Sequence, residues 1–204
     1  MFYLGLDLGK LQDFTALAVV EREDPSLAWS PSSIRTASTA LLVRHLERAP
    51  LGTPYTRVVE RVKELTRHRN LNGLCYLTVD STGVGVPVVE SLRAAPLGCR
   101  GITAVTITGG DRARQSTGFG VGDHWHVPRT DLLSGIQMLL EKGELKISKQ
   151  MKESGTLVRE LISMRAGGGS LGAQHDDLVL AVSLACWQAT RPMNRIGTQR
   201  LSGI

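Results

Sequence analysis

Two short apolar runs of this chain end at an aspartate and a third opens on a pair of them: Gly5-Leu6-Asp7-Leu8-Gly9, Val79-Asp80-Ser81-Thr82-Gly83 and His175-Asp176-Asp177-Leu178. A carboxylate at the edge of an apolar segment is costly to bury unless its charge is offset, and Asp7, flanked by Leu6 and Leu8, is the most exacting case. The spacing predicts a fold that gathers the three stations at one place, balanced by a divalent ion. Singly, each has a plainer use: aspartate after a strand forms turns, and at a helix start it caps or meets the dipole.

With 204 residues, 42% hydrophobic and 21% charged, the chain can bury one substantial core and is not of the disordered class. One domain over 1–191 is expected, with 192–204, which hold Pro192, Gly197 and Gly203, as a flexible tail. No apolar run approaches the ~20 residues of a membrane span, so neither a transmembrane helix nor a signal peptide is expected. Cys75, Cys99 and Cys186 are odd in number and form no CxxC pair, which fits reduced thiols in a cytosolic compartment better than disulfides or zinc. Lysine and arginine exceed the acids 24 to 19, a net +5 that is compatible with a polyanionic partner without requiring one. Arg112, Arg114, His124, His126 and Arg129 cluster in one glycine-containing stretch.

Periodicity alternates between strand and helix. Phe2 to Leu8 and Phe14 to Val20 read as a hairpin, Ala40 to Val43 as a third strand, and Leu74 to Val79 and Ile102 to Ile107 as further strands. Pro54 to Arg67 has helical spacing and is closed by Gly73; Ser81-Thr82-Gly83 can turn the chain into a helix through Leu92. Gly109 to Gly122 reads as a mobile loop or hairpin tip, and Val127-Pro128 as an extended entry into a helix Asp131 to Glu141 capped by Thr130. Glu144 to Ile147 is a candidate edge strand, and Lys149 to Met164 a further helix. The apolar run Leu178 to Trp187 reads as a helix buried on the sheet, with Ala181 and Ala185 permitting close approach.

Two strands ending in acids and a helix beginning with two can converge at one edge of an α/β sheet, where strand termini commonly build sites. Oxygen-only ligands favour Mg²⁺ or Mn²⁺ over Zn²⁺. Two such ions about 4 Å apart can activate a water and stabilise the leaving oxygen of a phosphodiester.

The same residues carry a family resemblance. Gly5 to Lys10 followed by Asp13-Phe14-Thr15-Ala16 looks like the opening of the nuclease domain of tailed-bacteriophage large terminase subunits. Val79 to Gly85 is similar to that family's second acidic station, Trp125 to Leu132 to its entry into the helix after the loop, and His175-Asp176-Asp177-Leu178 to its closing motif. The resemblance implies a ribonuclease H-like mixed central sheet flanked by helices, and metal-dependent cutting of double-stranded DNA, with little sequence preference, during genome packaging. It implies Asp7, Asp80 and an aspartate of the Asp176-Asp177 pair as catalytic metal ligands for Mg²⁺ or Mn²⁺, two ions in all. Asp13 and His175 would stand behind them, orienting a water or a ligand, and Arg112, Arg114 and Arg129 would meet the DNA backbone. Adjacent helix residues point about 100° apart, so one of Asp176 and Asp177 should face the metal and the other cap the helix or bind a second ion.

The implied partners are DNA, a packaging ATPase domain or chain, the portal and the small terminase, in the cytoplasm of a bacterial host. The chain has no GxxxxGK[ST] phosphate loop, so an isolated nuclease domain or a separately encoded nuclease is expected. A Holliday-junction resolvase of the same fold would use a similar carboxylate cluster. Two other classes are a sugar-kinase-like phosphotransferase, for which one domain is too few, and a non-catalytic DNA-binding module, which the concentrated acids oppose.

Overall fold

The structure is a computed structural model that describes residues 1–9, 13–23, 39–83, 85–116, 123–165 and 175–191. The anticipated tail 192–204, Lys10 and the glycine runs at 118–122 and 167–169 lie outside the described residues. Among these residues eight strands form one mixed sheet: β1 Phe2–Asp7, β2 Ala16–Arg22, β3 Leu41–Arg48, β4 Cys75–Asp80, β5 Ile102–Thr108, β6 Arg114–Gln115, β7 Asp123–Pro128 and β8 Leu145–Ile147, in the order β6-β7-β5-β4-β1-β2-β3-β8. Among the described residues five helices flank it: α1 Tyr55–Thr66, α2 Gly85–Ala94, α3 Arg129–Glu141, α4 Ser154–Arg165 and α5 Asp177–Thr190.

The hairpin read from Phe2 to Val20 is β1 against β2, antiparallel, with Leu6 opposite Leu17. On its other side β1 pairs parallel with β4, Leu6 beside Val79, so the two strands deliver Asp7 and Asp80 to the same sheet edge. Strand alternation divides the core. Tyr3, Ala16 and Ala18 pack with α5, whereas Leu4, Leu6 and Leu17 pack with Val58 and Val62 of α1 and Val88, Val89 and Leu92 of α2.

Helix α5 lies almost on the backbone of β1. A Cβ at Gly5 would stand 1.9 Å from the carbonyl oxygen of Ala181, so the strand must be bare there. Ala181 and Ala185 are the small residues expected on the helix side, and Gly5 is their counterpart on the strand. Two residues beyond Gly5 on the same strand face is Asp7, and one turn before Ala181 is Asp177. This contact sets their separation.

Several boundaries differ from the sequence reading. Strand β3 continues to Arg48 because it pairs along β2 past a register shift at Val19/Val20, ending with Ala16 opposite Arg48. Helix α1 stops at Thr66, whose hydroxyl donates to the Val62 carbonyl and accepts from the Gly98 N–H; Gly73 instead takes a positive φ in the turn before β4. Pro128, not Thr130, is the N-cap of α3, since an extended proline enters a helix without losing an N–H bond. Helix α4 begins at Ser154, whose hydroxyl donates to Lys149 and Met151 carbonyls and so ends a turn there. The 109–122 stretch holds β6, paired with β7, which begins at Asp123. Glu144 to Ile147 does supply the edge strand, β8, parallel to β3.

Cys75 and Cys186 are buried free thiols, pushed up to about 12 by desolvation, which makes them unreactive packing groups. Among the described residues no helix is long and apolar enough to cross a membrane. At the far end of α5 the Arg191 guanidinium sits 3.8 Å from the ring centre of Trp125 and 4.4 Å from that of Trp187, fastening α5 to β7.

Candidate metal centre

Asp7, at the end of the buried central strand, is 7% exposed; Asp177, in the first turn of the buried helix, is 6% exposed. Burial pushes the Asp7 carboxyl well above the usual carboxylate range, and repulsion from Asp80 and Asp177 and a hydrogen bond with Asp80 push it further. Asp177 is also raised by burial, against the opposing pull of Arg48 and His175. Asp80 accepts at Oδ1 from the Thr82 N–H at 2.8 Å and the Thr82 hydroxyl at 2.5 Å, a short turn that holds its carboxylate at the strand end. Asp13 is exposed and adds its charge to both Asp7 and Asp177.

Asp176 and Asp177 take different partners. Asp176, at the N-cap position, makes no side-chain cap and instead pairs with Arg129 at the start of α3. Asp177 turns into the acidic edge. Its Oδ2 is buried without a hydrogen bond, 3.4 Å from an Arg48 nitrogen and 3.8 Å from Nδ1 of His175. Of the three arginines matched to the DNA backbone, Arg112 and Arg114 are exposed and Arg129 is the one engaged with Asp176.

In sequence the chain is 24% identical over 193 residues to the large terminase subunit of Thermus phage G20c, an alignment covering 91% of this chain and 31% of that protein. The chain thus spans about a third of the length of this curated relative. No family model matches it. In structure it superposes on the crystallised large terminase nuclease of phage G20c with a TM-score of 0.56 at 21% identity, covering 92% of this chain and 82% of that one. The nuclease domain of the bacteriophage SPP1 large terminase, solved with bound Mn, gives 0.53 at 12% identity, over 92% and 86%. The fold is that of the large-terminase nucleases. It is ribonuclease H-like, as the sequence resemblance implies.

Within this terminase-nuclease fold the acidic edge suits a hard divalent ion: all three converging side chains offer oxygen, two are buried, and one buried oxygen lacks a hydrogen bond. Among the described residues no three His, Cys, Asp or Glu side chains stand close enough to hold an ion as placed. As placed, Asp177 is drawn toward Arg48 and Asp80 is held by Thr82.

Sequence reasoning missed the support behind Asp177. Arg48, at the end of β3, lies between Glu160 and Asp177 and 4.7 Å over the Phe14 ring, whose edge meets His175. Glu160, 5% exposed, also accepts from the Val179 N–H at 3.1 Å, and burial raises its carboxyl to about 7 despite Arg48. The signal for Glu160 was present, because it sits three residues after Leu157 and four before Met164, on the apolar side of α4. Arg48 had none, since its position depended on where β3 ends.

Proposed function

We propose that this chain cuts double-stranded DNA by metal-dependent hydrolysis, as the nuclease part of a terminase-type packaging apparatus. The observation that carries the reading is the meeting of Asp7, Asp80 and Asp177, from two strands and a helix, in a partly dry edge where each raises the cost of charging Asp7. The bound manganese of the SPP1 domain supports Mg²⁺ or Mn²⁺ as the ions. Two bound ions would supply Lewis acidity and lower the pKa of the attacking water.

The protein's part is placement. Asp7, Asp80 and Asp177 would hold the ions. Asp176 would hold Arg129 in place at the rim, Asp13 and His175 would orient water or ligand, and Arg112 and Arg114 would meet phosphates without reading bases. Hydrolysis forms the bond from water oxygen to phosphorus and breaks that to the 3′ oxygen, in line. The packaging ATPase, portal and small terminase are the partners this reading entails, and a bacterial cytoplasm the setting.

Supercoiled plasmid incubated with Mn²⁺ or Mg²⁺ tests it. The wild-type chain should cut and Asp7→Asn should lose more than roughly 100-fold, beyond the ~10–100-fold that residues behind a ligand contribute. Equal cutting by Asp7→Asn, or cutting in EDTA, would sink the reading; strong preference for a four-way junction over linear duplex would move it to the resolvase.

A further inference from the structure

One step past the row that contains Asp80, the opposite face of the sheet carries a row of another character. Asp80 is in register with Val105, Thr106 with His126, and His126 with Arg114, so Thr106, His126 and Arg114 lie side by side across β5, β7 and β6. His124 joins them: its ring is 5.2 Å from that of His126, and its Nε2 lies 2.9 Å from the Thr106 hydroxyl, which is itself 3.3 Å from the buried Ser81 hydroxyl. Helix α2 packs its Val88, Val89 and Leu92 against Leu77, Val79 and Ala104, leaving Thr106, His124 and His126 half-exposed and Arg114 exposed.

We propose that this row is a track for the sugar–phosphate backbone of a nucleic-acid strand passing to or from the acidic edge. The row offers hydroxyl, imidazole and guanidinium groups and no carboxylate, which suits phosphate oxygens; it has no large apolar side chain of the kind that anchors a protein partner. Burial, and then the electrostatics of nearby His126 and Arg93, hold His124 below the usual imidazole range, which favours its neutral, hydrogen-bonding form. Strands are ~4.8 Å apart, so Thr106 to Arg114 spans about 10 Å. The track joins the acidic edge through one turn. Thr82 donates to Asp80 and accepts from the Ile107 N–H beside Thr106. The track rests on the nuclease reading only for what lies at its end.

Binding of a short fluorescein-labelled DNA duplex in EDTA, followed by anisotropy across a salt series, tests the track without cutting. The double variant Thr106→Val/His126→Ala should bind about five- to tenfold more weakly, the worth of one or two phosphate hydrogen bonds. Arg114→Ala should lower the salt slope by about one. Gln115→Ala, on the other face of β6, should bind as wild type. Row variants that melt like wild type and bind with unchanged affinity would overturn the track. Cutting with Mn²⁺ by such variants would leave the nuclease reading standing, whereas row-dependent binding by a chain that cuts nothing would keep the track and remove that reading.

Discussion

Asp7 carries its proton to a pH at which an ordinary aspartate has lost it, because burial and two neighbouring carboxylates oppose its charge. Between the ordinary 3.8 and its raised folded value the folded chain holds a proton that the unfolded chain has released. Stability therefore falls as pH rises across that window, and Asp177 and Glu160, both raised by burial, act in the same direction. Thermal melting of the metal-free protein from about pH 4 to pH 8 should show a declining midpoint, and Asp7→Asn should flatten the decline. Mn²⁺ should lift the midpoint more at the upper end of the range, since ligands must be deprotonated to bind it. A slope unchanged by Asp7→Asn would show that Asp7 does not titrate as described.

The contact of α5 with β1 places Asp177 above Asp7, and its tolerance is set by one missing side chain. Gly5→Ala would press a Cβ on the Ala181 carbonyl, lift α5 and move the acids apart. We expect a loss of about 1–3 kcal/mol in denaturant unfolding together with loss of cutting. Gly135→Ala, in open space on α3, should instead gain about 0.5–1 kcal/mol and leave cutting unchanged. The pattern of elements was largely legible in the sequence, because β1, β2 and α5 are built on apolar runs while α1 and α3 repeat their apolar residues at helical spacing. β7 was missed over most of its length, since His124 and His126 alternate with Trp125 and Val127 in a stretch dominated by glycine-rich flanks. Glycine at position 5 gave no warning either, because its reason lies 176 residues on, in a helix backbone.

At the scale of the whole molecule a net positive charge coexists with one edge where Asp7, Asp80 and Asp177 face one another. That acids end apolar runs is written in the sequence. Which acids meet is decided by the order β4-β1-β2, a long-range pairing that local periodicity does not encode. The place of Arg48 behind Asp177 was hidden for the same reason, whereas Glu160 stood on the apolar side of α4. With a net +5 and an acidic edge, the chain should bind DNA better once that edge is neutralised. In EDTA, Asp80→Asn should hold a duplex more tightly than wild type, and equal affinities would mean that the acids do not face the DNA. The stacking of Trp125, Arg191 and Trp187 also gives the protein an optical gauge. Two of its three indoles share one seam between β7 and the end of α5, so the emission colour should redden when that seam opens, without any attached dye.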